Sequence, residues 1–590
     1  MQSGYQMKTC FAKQRAVLVL PSALLTLLTS CGDTTAVAPV TTPRTAQCSG
    51  VSTNVRSLAP MEGVVLSGTE IECIALAGDG REYLVIPQLT GVTLPYGGYG
   101  FRISDPTATG TVARTLELPS RADVNLRSGS PADTLLPAPP VTAQERLDGL
   151  MRRREARYRG QTATPRAAVS LSIAAAAPEA LRTFSVLNTL AEVPAYSRVA
   201  AQLRYAGSRV LVYVDTLSSS AFTDAELTGM GALYDAQLVP AVTRTFGAGS
   251  DIDGNGRLIF LLTPTVNALI PASNCAVSGF VRGFFYSYDL SNAGSTSNRG
   301  EIFYGYVPDP AGRWSCAQTK ADVISNLPPT FIHELQHMVS FGEHAVKRGG
   351  DAEEAWLNEG LSHLAEEIGS LTYEARFPAP SGRTVASQIF PDSASPYITP
   401  NLLYSYRYLF SSGIYSITTC APGTFCSLSE RGGIWLLLRY LTDREGDGVL
   451  RRLVETKLTG RANLESVAGR STGALLGDFA MAVSADSVIG VSRTATPASL
   501  RFSTRNLRRL YKGLFDLYGI TRGVSRPFPI EPLTLAPGGN VTGTMRPGTF
   551  LTYRLRVPAG TASAVLRLVS TDGNAFPASS GAQVSVLRMP

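Results

Sequence analysis

At 590 residues the chain is too long for a single hydrophobic core, and we expect it to divide into roughly three or four domains. Hydrophobic residues make up 44% of the sequence and charged residues 17%, a balance that excludes an intrinsically disordered chain. The formal net charge of +7 is small and spread along the sequence, so no nucleic-acid partner is expected.

The N-terminus has the pattern of an export signal. A basic stretch precedes the apolar run 16–29, and the sequence Leu-Thr-Ser-Cys that ends at Cys31 resembles the lipobox of bacterial lipoproteins. We predict a lipoprotein signal peptide over 1–30, a lipid-modified Cys31, and a Thr-, Ala- and Pro-rich tether over 31–46. The protein would then be anchored to a membrane, in the cell envelope or outside the cell. A plain signal peptide and an anchor helix are the alternatives.

Cysteine usage agrees with export. Of the eight cysteines, Cys10 and Cys31 lie in the signal region, and the even number that is left indicates disulfide bonds in an oxidising compartment. Sequence alone allows many pairings. Nearness along the chain favours three of them, Cys48–Cys73, Cys275–Cys316 and Cys420–Cys426.

Beyond the tether, β-rich, loop-like and helical segments alternate and outline the domains. The basic helix that follows the first β-rich segment is expected to expose its charged residues to solvent. In chain order we expect an N-terminal β-domain over 47–118, a linker with that basic helix over 119–181, a mixed lobe over 182–370, a helical lobe with a Tyr-rich loop over 371–520, and a C-terminal β-sandwich-like domain over 521–590.

The segment DIDGNG in the mixed lobe resembles the start of a calcium loop. Asp251, Asp253 and Asn255 alternate as calcium ligands would, but Leu262 stands where an EF-hand needs its last carboxylate. A tight turn that leads into a strand over 257–263 is therefore favoured, and a bound Ca²⁺ is the alternative.

Three of the four histidines lie within FIHELQHMVSFGEH, residues 331–344. His333-Glu334-Leu335-Gln336-His337 is an HExxH motif. On a helix, residues four apart share a face, so both imidazoles can reach one metal ion with Glu334 beside them. The segment 326–329, with its two prolines, predicts the start of this helix.

Three groups could provide a third ligand. His344 is one residue late for HExxHxxGxxH, and one position turns a helical side chain by about 100°, which excludes it. His363 offers a good donor, whereas Glu359 would complete the His₂Glu set of many catalytic zinc sites. Both lie in a second predicted helix, on one stripe with Trp356 and Glu366.

HELQH, followed 22 residues after His337 by Glu359 within WLNEG, resembles the gluzincin zinc peptidases, most of all their hyicolysin-like family. The resemblance implies a thermolysin-like α+β catalytic domain of the zincin type. It also implies one Zn²⁺ on His333, His337 and Glu359, with Glu334 as general base and Glu366 orienting His333. Thermolysin-like enzymes have Asp where this chain has His363, whose role as helper or substrate contact stays open.

We therefore expect a secreted or surface-anchored zinc endopeptidase that acts on peptides or proteins. A zinc aminopeptidase is one alternative, although its usual Gly-x-Met-Glu-Asn segment is missing, and a non-catalytic adhesion lipoprotein is the other. The segment GEIFYGYV, 300–307, is either an edge strand that pairs with substrate or a core strand. Candidates for an oxyanion-stabilising donor are the downstream tyrosines Tyr397, Tyr404, Tyr406 and Tyr408.

Overall fold

The structure is a computed structural model that describes most of the chain beyond its N-terminal region. The described residues are 48, 55–91, 98–106, 113–116, 141–157, 178–291, 294–376, 395–420, 426–485 and 496–590. The predicted signal peptide, Cys31 and the tether lie outside these residues. Within the described ranges, no helix is long and apolar enough to cross a membrane.

Strands and helices both contribute to the described part, which confirms the expected mixed α+β class. The strands are β1 Gly63–Ser67, β2 Ile74–Ala77, β3 Glu82–Leu89, β4 Tyr99–Ser104, β5 Ala113–Leu116, β6 Leu181–Leu187, β7 Tyr196–Ala206, β8 Val210–Asp215, β9 Leu258–Leu262, β10 Gly283–Phe285, β11 Ile302–Gly305, β12 Leu533–Leu535, β13 Asn540–Met545, β14 Thr549–Phe550, β15 Tyr553–Arg556, β16 Ser563–Ser570 and β17 Ala582–Arg588. The helices are α1 Ala143–Glu155, α2 Asp224–Leu233, α3 Val239–Phe246, α4 Pro264–Asn267, α5 Cys275–Ser278, α6 Lys320–Phe341, α7 Ala355–Arg376, α8 Ser395–Phe410, α9 Leu428–Glu445, α10 Gly448–Val454, α11 Gly460–Ala468, α12 Thr472–Ala485 and α13 Leu507–Tyr518.

Strands from both ends of the chain share two sheets. One sheet has the order β1-β17-β3-β15-β12, with β14 also paired to β3, and the other has the order β2-β16-β4-β13-β5. Apolar side chains of both sheets form one core. The sequence predicted two separate β-domains, and the structure differs because β17 bonds to β1 on one side and β3 on the other, so neither end satisfies its strand edges alone.

The central sheet lies in the mixed lobe and has the order β10-β11-β9-β8-β7-β6. Strands β8, β9 and β11 are parallel, and β10 runs antiparallel to β11 at one edge. The segment 300–307, which could have been an edge strand, contains β11 and is an interior strand. The short strand β10 forms the edge instead, and α6 packs against both.

Helix α6 begins earlier than its prolines suggested. Thr319 is its N-cap residue, and the Thr319 hydroxyl accepts a hydrogen bond from the backbone N–H of Asp322 at 3.1 Å. The expected start at 326–329 is wrong, because Pro328 and Pro329 lie inside the helix. Each proline removes one backbone donor, and both rings are buried, so apolar packing offsets part of that loss.

The described residues from α8 to α13 are mainly helical, as the sequence predicted for this lobe, but the four tyrosines that were expected in a loop lie on a helix. Tyr397, Tyr404, Tyr406 and Tyr408 all lie on α8, and three of these rings are buried in the core. Aromatic side chains on the inner face of a helix supply packing area, which explains their density here.

The basic helix is more buried than the sequence predicted. Helix α1 contributes Ala143, Leu147, Leu150 and Met151 to the main core, and it buries charged residues as well. Arg152 and Glu155 form a buried ion pair at 2.9 Å. Arg152 and Glu155 are therefore paired inside the protein, whereas Arg146 remains exposed.

The three disulfides favoured by nearness in sequence are present in the structure. They join Cys48 to Cys73, Cys275 to Cys316, and Cys420 to Cys426. Each closes a loop within one region, which restricts the unfolded chain locally.

Candidate active site

Helices α6 and α7 pack together and bring two histidines and a glutamate to one point. The Nε2 atoms of His333 and His337 lie 3.2 Å apart. Glu359 places one carboxylate oxygen 3.5 Å from the His333 Nε2 and the other 3.7 Å from the His337 Nε2. Ligands on a tetrahedral zinc ion at about 2.0–2.1 Å are about 3.3 Å from one another, so these spacings fit one small metal ion.

All three side chains are buried, and Glu359 is 2% exposed. Its Oε1 atom has no hydrogen-bond partner among the described residues. A buried carboxylate oxygen without a partner costs free energy, and a metal ion would remove that cost. The donor set and the unpartnered oxygen therefore both fit a bound metal.

Glu366 connects two histidines beside this group. One Glu366 oxygen lies 2.8 Å from the His333 Nδ1 and the other lies 3.2 Å from the His363 Nδ1. Burial alone would raise the pKa of Glu366, but the charge of His363 and the hydrogen bond of His333 lower it to about 2. Glu366 is therefore an ionised acceptor that fixes the His333 ring with Nε2 towards Glu359.

His363 lies next to the group without joining it. Its Nδ1 is used by Glu366, and its Nε2 is buried and has no hydrogen-bond partner in the described residues. His333, His363 and Glu366 are also close enough to form a second possible metal group. In this second group, Glu366 is already hydrogen-bonded to the Nδ1 atoms of both histidines. The His333–His337–Glu359 group is therefore the better donor set.

Arg431 on α9 faces the candidate metal group from the helical lobe. The Arg431 Nη1 lies 2.8 Å from Glu359 and donates a hydrogen bond of 2.8 Å to Asp148 on α1. Burial would raise the pKa of Glu359, but the charges of Arg431 and His337 hold that pKa well below its usual range. The sequence offered no signal for Arg431, because neither its spacing nor its neighbours resemble a motif.

The Glu334 side chain contacts the edge strand β10. The Glu334 Oε2 accepts a hydrogen bond of 3.0 Å from the backbone N–H of Phe285, the last residue of β10. Burial raises the pKa of Glu334 to about 8, although the charge of His333 opposes the shift. This contact ties the catalytic candidate to the sheet edge.

A cleft of about 760 Å³ opens beside these groups and is lined by His333, Glu334, His363 and Glu366. Tyr404 lies on its wall, and its ring centroid is 5.9 Å from that of His363. Burial raises the pKa of Tyr404 to about 12, so its hydroxyl keeps its proton at neutral pH. Tyr397, Tyr406 and Tyr408 do not line this cleft.

The first turn of α1 also lines the cleft, which the sequence did not predict. The Gln144 side chain donates a hydrogen bond of 2.9 Å to the Gly283 carbonyl and accepts one of 3.0 Å from the Arg282 N–H. These are the main-chain groups at the start of β10. Gln144 is thus bonded to main-chain groups that an added strand would need for pairing.

The remaining histidine lies apart from the site. His344 is fully buried in the turn after α6, and its Nε2 is 3.7 Å from Glu353. Burial lowers the pKa of His344 to about 4, so the ring is neutral at physiological pH. Its exclusion as a ligand agrees with this placement.

The DIDGNG segment forms a tight turn before β9. Asn255 bonds within the turn, donating from Nδ2 to Asp253 at 2.7 Å and accepting from the Arg257 N–H at 2.6 Å. Asp251 and Asp253 lie together with Glu301 as a separate group of carboxylates. Glu301 was not among the sequence candidates.

The buried His–His–Glu group and the adjoining cleft define a candidate metalloenzyme site. No family model matches the sequence. Over 189 residues the chain is 26% identical to the neutral metalloprotease ShpI of Staphylococcus hyicus, and the aligned part covers 32% of this chain and 40% of that protein. The chain thus spans less than half the length of this relative. The similarity supports a metalloprotease at the level of class.

Proposed function

We propose that the protein is a zinc-dependent endopeptidase whose zinc ligands are His333, His337 and Glu359. The observation that carries the proposal is the convergence of three buried side chains whose nitrogen and oxygen atoms lie 3.2 to 3.7 Å apart, at a cleft that Glu334 also lines. The similarity to a neutral metalloprotease supports the same class.

Zinc bound there lowers the pKa of water and polarises the substrate carbonyl. Phe285 holds the Oε2 of Glu334, so the Oε1 is the atom that takes the proton from the attacking water. The raised pKa of Glu334 would fall beside a bound divalent cation, which would leave its carboxylate ionised to act as the base. Glu334 then delivers this proton to the leaving amine. Glu366 keeps His333 oriented throughout, because both of its oxygens are bound to imidazoles.

His363 and Tyr404 are the donors that we assign to the developing oxyanion. The His363 Nε2 is buried without a partner, and the Tyr404 hydroxyl stays protonated at neutral pH. A donor preorganised in a buried cleft stabilises negative charge more than one in water. This assignment gives His363 a role with the substrate.

An extended substrate is proposed to lie along β10. The strand is at the sheet edge, and its end contacts Glu334. A peptide that pairs with its main-chain groups would pass the catalytic carboxylate. The missing Gly-x-Met-Glu-Asn segment favours an endopeptidase over an aminopeptidase, and the complete set of site residues disfavours a purely adhesive protein.

The N-terminal pattern supports a location at the cell surface. We propose a lipoprotein anchored through Cys31, in the cell envelope or outside the cell. The three disulfides agree with an oxidising compartment.

Metal removal tests the proposal. We expect the purified protein to cleave an unfolded protein substrate, to lose this activity with a zinc chelator, and to regain it when about one equivalent of Zn²⁺ is added. Metal-loaded protein that cleaves no unfolded protein and no peptide library would refute the proposed function.

A further inference from the structure

Three carboxylates outside the proposed zinc site lie where two neighbouring strands begin. Asp251 and Asp253 belong to the turn before β9, and Glu301 directly precedes β11. Their carboxylate oxygens lie within 4.8 Å of one another. Ligands on opposite sides of a calcium ion at about 2.4 Å are about 4.8 Å apart, so one ion can reach all three.

Glu301 is the buried member of this group of carboxylates. It is 3% exposed, and its Oε1 accepts hydrogen bonds from the Ser250 hydroxyl at 2.7 Å and from the Ile252 N–H at 3.2 Å. Its Oε2 is buried and has no partner among the described residues. A buried carboxylate with one fixed and one unpartnered oxygen lacks a counter-charge.

The surroundings supply little of that charge, because the charge of Arg182 lowers the pKa of Asp253 but burial still leaves that pKa raised. In the described part of the chain, no Lys, Arg or His nitrogen lies within 4.0 Å of Asp251, Asp253 or Glu301. Burial raises the pKa of Glu301 to about 7, and the nearby negative charges of Asp253 and Asp251 add to the shift. Mutual repulsion of this kind is relieved when a cation binds.

The turn is built to hold the two aspartates in place. Both oxygens of Asp251 accept from the Gly256 N–H at 3.2 Å, and the Asp253 Oδ1 accepts from the Asn255 N–H at 3.2 Å. Gly254 and Gly256 have φ angles of 71° and 67°, which other residues rarely adopt. The carboxylates are therefore positioned before any ion binds.

We propose that Asp251, Asp253 and Glu301 bind one Ca²⁺ ion. Carboxylate oxygens are the ligands that this hard cation prefers, and water can complete its shell on the exposed Asp251 side. Asn255 is a turn residue and not a ligand. The ion joins the turn before β9 to the start of β11, the strand that supports the edge strand β10. The site is thus a structural one within the central sheet.

The test adds only Ca²⁺ to the purified protein. The full chain is purified as Glu334→Gln to prevent self-cleavage, freed of calcium, and titrated with Ca²⁺ in a binding calorimeter and during thermal unfolding. We expect about one Ca²⁺ per chain and a higher unfolding temperature. A protein that binds no Ca²⁺ and gains no thermal stability would overturn the proposal.

Two substitutions locate the ion. Glu301→Gln and Asp253→Asn keep shape but remove charge, and each should weaken Ca²⁺ binding about tenfold or more. Glu353→Gln is the matched control, because Glu353 is also a buried glutamate but lies outside the cluster. Its Ca²⁺ affinity should equal that of the parent protein. Unchanged Ca²⁺ affinity in either cluster variant would overturn the assignment, and if one variant does not fold, the other decides.

Discussion

At the scale of single residues, Glu366 organises the site by holding two imidazoles with one carboxylate. Its contacts leave the His333 Nε2 for a metal and the His363 Nε2 for the cleft. Because the same residue orients both rings, the proposed zinc ligand and the proposed substrate contact are coupled. A change at Glu366 should therefore disturb both.

The choice between Glu359 and His363 as third ligand is testable by metal content. We expect Glu359→Ala to reduce zinc to well below one equivalent after dialysis, because it removes a charged ligand from a buried site. His363→Ala should keep about one equivalent and lose hydrolytic rate. Elemental analysis of both variants decides, and the opposite pattern would make His363 the ligand.

At the scale of elements, helix α1 covers part of the cleft, and its Gln144 side chain makes hydrogen bonds to β10 that a paired strand would otherwise make. Gln144 bonds to a carbonyl and an N–H at the start of β10. Asp148 on the same helix bonds to Arg431. An extended substrate on β10 would have to displace the Gln144 side chain, so α1 is expected to limit how much of the strand edge a substrate can reach.

We expect Gln144→Ala to lower KM for long peptides by about five- to 150-fold, since two hydrogen bonds worth about 0.5–1.5 kcal/mol each no longer compete. The KM for a short peptide should change little. Arg146→Ala is the control, because Arg146 is on the same helix and exposed. Equal KM for long peptides in the parent and Gln144→Ala would mean that substrate does not pair there.

At the scale of the whole molecule, the first and last strands that the structure describes pair with each other. Strand β17 lies between β1 and β3, and β16 lies between β2 and β4. These two sheets therefore depend on contacts between residues that are very distant in sequence, such as the pairing of Gly63 with Leu587.

Removal of residues 533–590 tests this dependence. We expect β2, β3 and β4 to lose protection from amide hydrogen exchange, because each loses a strand on at least one side. The intact chain is the reference for the same peptides. Full protection of these strands in the truncated chain would show that the N-terminal strands form a domain of their own.

Local patterns were predictable and distant contacts were not. The spacing of His333 and His337 determines their common face on any helix, and the nearness of Cys275 and Cys316 in sequence predicted their disulfide. Gln144, Arg431 and Glu301 carry no local pattern, since each gains its place from a strand or helix distant in sequence. The alternation of apolar and polar residues in the first and last described strands predicted β-structure. It could not identify the neighbouring strand, because a period of two specifies which face a side chain occupies and not which strand lies beside it.

Glu334 is proposed to act on peptide bonds beside a zinc ion held by His333, His337 and Glu359. The most direct measurement compares hydrolysis of a quenched peptide library by the parent protein and Glu334→Gln at matched zinc content. We predict the same zinc content and a rate that falls about 10²–10⁴-fold, because the proton acceptor is lost while the metal ligands remain. Equal rates for the two proteins would contradict the claim.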